Sequence, residues 1–74
     1  MLDIRIMGTL WEQLEPAIEI DLEGREATVA DLIARLGIDQ TEVGIVIIDG
    51  RQSRPDAILP ANGRVYIFPP MFGG

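Results

Sequence analysis

The segment TVADLIARLG, residues 28–37, decides the fold, because its pattern is that of one short amphipathic helix with both ends marked. Thr28 followed by Asp31 is a variant of the helix capping box, and Gly37 stands where a left-handed C-terminal cap is favoured. The sequence therefore predicts a helix over about 29–36, with a single apolar stripe that a sheet must cover. Four residues at the i, i+3, i+4, i+7 spacing form that stripe: Val29, Leu32, Ile33 and Leu36.

Apolar runs on both sides of the helix predict the strands of that sheet. Residues 2–6 and 18–22 alternate apolar with polar residues, which is typical of half-buried strands. Residues 45–48 form a continuous β-branched run, which predicts a central strand buried on both faces. Asp49-Gly50 predicts a tight turn into a brief return strand over 51–53. Residues 65–68 predict the last strand, which Pro69 ends.

Two connecting segments also have local predictions. Residues 9–15, with Trp11 as a packing residue, are expected to form a short helical turn or a structured loop. Residues 56–59 are expected to form one helical turn that points Ile58 and Leu59 inward. Strand, strand, helix, strand, short strand and strand together predict an α+β domain in which one sheet packs on one main helix.

Composition removes most enzymatic chemistry from this chain. Its 74 residues make one domain at most, and they include no cysteine, histidine or lysine. A thiol nucleophile, the usual general base and the commonest metal ligand are therefore missing. Carboxylates at 19, 21 and 23, or at 39 and 42, could attract a hard cation, but their spacing matches no calcium loop. We expect no bound metal and no enzyme activity of the chain by itself.

Charge and hydropathy bear on partners and location. The net charge of −6 argues against a nucleic acid or an anionic membrane as partner. It favours a partner with a basic docking face, or serves only to keep a small domain soluble. No run approaches the ~20 apolar residues of a transmembrane helix, and the first residues do not resemble a signal peptide. A cytoplasmic location is expected.

The last residues carry the chemistry that remains. We expect residues 1–68 to form the domain and residues 69–74 a flexible tail that feeds the Gly74 carboxylate into a partner's active site. Glycine lets a partner's backbone approach closely, and proline stiffens the exit from the fold. Met71 and Phe72 either contact that partner or extend an apolar patch with Phe68. An idle terminus is the alternative. The tail is Pro69, Pro70, Met71, Phe72, Gly73 and Gly74.

The run RVYIFPPMFGG, residues 64–74, resembles the C-terminal signature of the ubiquitin-like sulfur carriers. It is most similar to the small subunit of molybdopterin synthase, whose chains end in a Phe-Pro-Pro-x-x-Gly-Gly pattern. The sulfur carrier of the thiamine pathway is a near relative. The first strand and the segments 28–32, 46–50 and 62–63 extend the resemblance over nearly the whole chain.

The resemblance implies a β-grasp (ubiquitin-like) fold, a mixed sheet of four to five strands on one main helix. It also implies an E1-like adenylating enzyme that uses ATP and magnesium to adenylate the Gly74 carboxylate, which a sulfur donor converts to a thiocarboxylate. In the molybdopterin branch the tail, with Gly73 before its end, enters a pocket of the large catalytic subunit. Partners dock on an exposed apolar patch of the sheet, where Met7 and Phe68 stand at matching positions.

The chain departs from the family pattern at a few positions. Arg64 replaces the usual acidic residue before the last strand, residues 61–63 replace an Asp-Gly-Asp run, and Gln52 stands where an apolar patch residue is expected. The leading hypothesis is a carrier that supplies sulfur for molybdopterin, or the molybdenum or tungsten cofactor. Three alternatives stay open: sulfur for thiamine thiazole or another product, a protein modifier that joins target lysines, and an interaction domain with an idle tail.

Overall fold

The computed structural model describes residues 1–8 and 14–70 of the chain. In these ranges the elements follow in the predicted order of strand, strand, helix, strand, strand and strand, with a short 3-10 helix before the third strand. They are β1 (Leu2–Ile6), β2 (Ala17–Ile20), α1 (Val29–Arg35), the 3-10 helix (Gln40–Glu42), β3 (Ile45–Ile48), β4 (Arg51–Ser53) and β5 (Gly63–Phe68).

The five strands form one mixed sheet in the order β2-β1-β5-β3-β4. The last strand in sequence, β5, is central, parallel to β1 and antiparallel to β3. The pairs β1–β2 and β3–β4 are antiparallel and neighbouring in sequence. This is the β-grasp arrangement, so both the α+β prediction and the fold that the resemblance implies are confirmed.

The core lies between one face of the sheet and α1. Side chains at alternate positions of β1 and β5 are almost fully buried there, and they meet the apolar stripe of α1. Burying such an aliphatic side chain contributes roughly 1.5–3 kcal/mol, which a domain without disulfides requires. The core residues are Leu2, Ile4, Ile6, Ile20, Val29, Leu32, Ile33, Ile38, Val46, Leu59, Val65 and Ile67.

Both ends of α1 are capped as the sequence predicts. The Thr28 side chain accepts a hydrogen bond from the Asp31 amide at 3.2 Å, and the Asp31 carboxylate accepts one from the Thr28 amide at 2.9 Å. At the other end, Gly37 has a φ of +76° and its amide donates to the Ala34 carbonyl. The Ile38 amide donates to the Ile33 carbonyl, which completes a Schellman motif.

β3, residues 45–48, is an internal strand between β5 and β4, but the prediction that it is buried on both faces is wrong. β3 is next to the edge strand β4, and of its residues only Val46, 4% exposed, is buried. The reason is that α1 covers one face of the sheet, and the described part of the chain places no second layer on the other. Continuous β-branched sequence is therefore compatible here with a strand that has one buried face and one partly exposed face.

The predicted helical turn over 56–59 is also wrong. Residues 55–56 form a turn, and Ile58 then pairs with Thr28 in an isolated antiparallel bridge. Extended backbone turns successive side chains to opposite sides, so Leu59 is 5% exposed whereas Ile58 is 54% exposed. In the connection after β1, the prediction for Trp11 and most of the segment 9–15 lies outside the described residues.

The capping box yields a stability prediction. Thr28→Ala should lower the free energy of unfolding by about 1 kcal/mol, because the Asp31 amide loses its acceptor. For a domain of this size the melting temperature should fall by roughly 4–8 °C per kcal/mol, measured by circular dichroism. Thr28→Ser, which keeps the hydroxyl, is the control and should stay near the wild-type value. Equal melting temperatures for the two variants would contradict this role of the hydroxyl.

Candidate functional site

The face of the sheet opposite α1 carries a small apolar surface. Ile45 stands opposite Phe68, and Ile47 opposite Tyr66, in the antiparallel register of β3 and β5. All four side chains are partly exposed, and the Tyr66 and Phe68 rings stack with centroids 6.4 Å apart. We call these four residues the outer patch. A contiguous apolar surface rimmed by polar residues is typical of a docking site.

Two of the predicted partner-binding residues, Met7 and Phe68, lie in or beside this patch. Phe68 belongs to it, and Met7 follows β1 beside Phe68, with its amide donating to the Ile67 carbonyl at 2.9 Å. On the other side, Gln52 of β4 stands opposite Ile47 and makes that border polar. The structure thus brings Met7 and Phe68 together at one end of the outer face.

Three members of the patch are not among the contact residues predicted from the sequence: Ile45, Ile47 and Tyr66. Ile45 and Ile47 are absent from the predicted contact residues because the run that contains them predicts burial on both faces. Tyr66 is two residues before Phe68 in the same strand, so the period of two would have placed it on the same face. The strand order was needed to place these residues. One helix covers only one face of a five-stranded sheet, so the outward side chains of β3 and β5 stay partly exposed.

Charges on the outer face of β1, β2 and β5 cancel. The acidic residues are Asp3 and Glu19, and the basic residues are Arg5 and Arg64. The Asp3 carboxylate accepts hydrogen bonds from Arg5 at 2.9 and 3.1 Å and from Arg64 Nε at 3.0 Å. The negative net charge is therefore not concentrated beside the outer patch, and the expectation of a basic partner face gains no support from these positions.

The same arginines perturb Asp3. The pKa of the Asp3 carboxyl lies below its usual value, chiefly because Arg5 donates a hydrogen bond to it. The positive charges of Arg5 and Arg64 lower it further. Arg64, the departure from the family pattern noted in the sequence, thus has a structural partner. It joins the central strand to β1 through an exposed ion pair.

The tail begins where β5 ends. Pro69 and Pro70 are described and half-buried, next to Phe68, and neither has an amide hydrogen that could continue the sheet. The remaining predicted tail residues lie outside the described residues: Met71, Phe72, Gly73 and Gly74. Their roles, and the division of the chain at residue 68, stay predictions.

Metal and membrane sites have little support in the described residues. Within residues 1–8 and 14–70, no group of three or more Asp, Glu, His or Cys side chains is placed to hold a metal ion. No helix in those ranges has the length and apolar character needed to span a bilayer. Among the described residues, the apolar outer patch and the exit of β5 are candidate sites for a partner.

Comparisons with known proteins agree with this fold. A family model described as ThiS family matches residues 4–74, which includes the last two glycines. The crystal structure of SAMP1 from Haloferax volcanii superposes with a TM-score of 0.70 and 20% sequence identity, covering 99% of this chain and 98% of that chain. At that identity the likeness shows the fold alone. No match was found among curated proteins.

The ion pairs of Asp3 yield a pH prediction. A carboxyl whose folded pKa is lowered stabilises the fold above its unfolded pKa, and that stabilisation is lost as the pH falls through the folded pKa. The difference in unfolding free energy between wild type and Asp3→Asn should therefore shrink between about pH 5 and about pH 2, measured by urea denaturation. Asp56→Asn, at an exposed turn, controls for the loss of one negative charge. A difference that stays constant over this range would contradict the prediction.

Proposed function

The chain belongs to the ThiS family, and from this premise we propose that it is a sulfur carrier whose Gly74 carboxylate becomes a thiocarboxylate. Proteins of this ubiquitin-like class are small carriers rather than enzymes, and they work with E1-like activating enzymes and acceptor enzymes. One observation carries the proposal: the central strand β5 ends at Phe68 and leads directly into Pro-Pro-Met-Phe-Gly-Gly, to which the family match extends.

The chemistry needs activation because a carboxylate is a poor acyl donor. On the E1-like adenylating enzyme, a Gly74 carboxylate oxygen attacks the α-phosphorus of magnesium-bound ATP, and pyrophosphate leaves. A persulfide of the sulfur donor then attacks the acyl carbon, AMP leaves and an acyl disulfide forms. A second thiol of the activating system attacks the donor's sulfur in that bond, which forms a donor disulfide and releases Gly74 as the thiocarboxylate. Gly73 and Gly74 suit this task because glycine lets the enzyme's backbone close around the tail.

The outer patch supplies the docking surface in this proposal. Its apolar side chains and the nearby compensated charges suit a partner with an apolar contact surface, and the exit of β5 lies at the same end as Met7 and Phe68. Pro69 and Pro70 reduce the conformational entropy that is lost on docking. Met71 and Phe72 would contact the partner beyond them.

We assign the recipient from the end of the sequence. Phe68-Pro69-Pro70 followed by two residues and Gly-Gly resembles the small subunit of molybdopterin synthase, so the tail would enter a pocket of the large catalytic subunit and give sulfur to a pterin precursor. A second recipient compatible with the family match is the thiazole of thiamine. Conjugation of Gly74 to target lysines is a third outcome that the same experiment detects.

The carrier function predicts a mass change. Protein purified from its native cell should carry Gly74 as its last residue, and part of it should be heavier by one oxygen-to-sulfur exchange, measured by intact-protein mass spectrometry. A variant that lacks Gly74 should keep its circular dichroism spectrum and lose both this mass change and ATP–pyrophosphate exchange with the E1-like enzyme. Exchange that persists without Gly74 would refute the mechanism. A Gly-Gly remnant on lysines of other proteins would instead support a modifier.

The docking surface predicts a second result. Ile47→Ala should raise the Kd for the E1-like enzyme about tenfold, because truncating an anchoring side chain near the centre of an interface costs more than about 1 kcal/mol. Ile58→Ala is the matched control, since Ile58 is the same residue type, is exposed, and pairs with Thr28 outside the sheet. Calorimetry measures both affinities. Equal effects of the two substitutions would exclude the outer patch as the docking surface.

A further inference from the structure

The carbonyls of the last two residues of β5 accept backbone hydrogen bonds, one from the β1 side and one from the β3 side. The Ile67 carbonyl accepts a hydrogen bond from the Met7 amide and the Phe68 carbonyl accepts one from the Gly44 amide, each at 2.9 Å. Met7 follows β1 and Gly44 precedes β3 directly, so the two strands that flank β5 each donate one last bond. The backbone direction is therefore fixed up to Phe68.

The chain stays between its two neighbours after the hydrogen bonds stop. A Cβ built on Gly44 would lie 2.8 Å from the Pro70 Cα and 2.9 Å from the Pro69 carbonyl carbon. Both distances are shorter than real Cβ contacts, and both involve backbone. On the other side, a Cβ on Gly8 would lie 3.1 Å from Cγ and 3.4 Å from Cδ of Pro69. Two glycines thus flank the start of the tail.

The two glycines have different reasons for lacking a side chain. Gly8 has a φ of +81°, so its backbone conformation favours glycine whatever its neighbours are. Gly44 is not among the residues with positive φ, and an alanine there would meet no backbone strain of that kind. The constraint on Gly44 is the space that Pro69 and Pro70 occupy.

We infer that Gly8 and Gly44 form an exit slot that fixes the direction in which the tail leaves the sheet, and that Gly44 is a positioning residue for activation of the Gly74 carboxylate. This inference rests on the proposed carrier function. Proline φ angles are nearly fixed, so a direction set at Pro69 and Pro70 persists through both residues.

The direction in which the tail leaves the sheet affects where Gly74 can reach. Held extended in the partner's active site, the four residues beyond Pro70 would span at most about 13 Å, so rotating the exit by about 20° would displace the tip by about 4 Å. A misplacement of about 1 Å at a reacting centre can lower a rate on the order of 100-fold. The outer patch is on separate side chains, so displacement of the exit should reduce turnover without weakening docking.

Gly44→Ala tests the inference. In ATP–pyrophosphate exchange with the E1-like enzyme, kcat should fall at least about tenfold, the equivalent of roughly 1.4 kcal/mol of barrier. The Kd from calorimetry should stay within about threefold of wild type. Gly24→Ala is the control: unlike Gly44, Gly24 has a positive φ, of +77°, so alanine there is strained, but its added Cβ would have no neighbour within 4 Å. The Gly24→Ala variant measures how much a loss of stability alone lowers ATP–pyrophosphate exchange.

Two results would overturn the positioning role of Gly44. Exchange by Gly44→Ala that equals the control, or a Kd that rises as much as kcat falls, would overturn the positioning role. If wild-type exchange does not depend on Gly74, the proposed function fails instead, which is a separable result. Should Gly44→Ala not fold, NMR of the wild type still tests the slot. Cross-relaxation between the Gly44 and Pro70 α-protons, and between Gly8 and the Pro69 ring, is expected; its absence would refute the slot.

Discussion

The hydrogen bonding of β5 to strands on both of its sides is the constraint on which the other features depend. Its parallel pairing with β1 and antiparallel pairing with β3 join the two hairpins into one sheet. The same pairing places Val65 and Ile67 in the core and Tyr66 and Phe68 on the opposite face. It also sets where the tail begins, because both flanking strands bond the last carbonyls of β5 before the prolines end the pairing.

A single helix layer gives the two faces of the sheet different roles. The face under α1 holds the buried aliphatic residues that stabilise the domain. The outer face, uncovered in the described part of the chain, combines an apolar patch with the ion pairs of Asp3, Arg5 and Arg64. Because these charges compensate one another, recognition at this face would depend mainly on apolar contact and shape. In the proposed function, the chemistry resides in the tail and the docking in the patch, so partners act upon the carrier at two separate places.

Patterns of neighbouring residues predicted the helix and the order of the strands well. Features that depend on tertiary packing were not predictable from such patterns. The capping box at Thr28 and the cap at Gly37 depend on neighbouring residues, so the pattern alone fixed α1. The burial of the run 45–48 depends on how many layers cover the sheet, which no local pattern records, and its prediction was wrong. Ile58 was misplaced because extended and helical backbone orient adjacent side chains differently. Gly44 was missed because its constraint comes from Pro69 and Pro70, far away in sequence, and only the pairing of β3 with β5 brings them together.

The position of β5 in the chain has a consequence for biosynthesis. The middle strand of the sheet is the last of the described strands in sequence, so β1 and β3 cannot be joined until residues 63–68 have left the ribosome. The pairing of β1 with β5 spans about 60 residues, and such long-range closure is slow compared with local contacts. A prematurely terminated chain would lack the strand that completes the fold and also the glycines that follow it. Under the proposed function, such an incomplete molecule could not be activated, so only completely synthesised chains would serve as carriers.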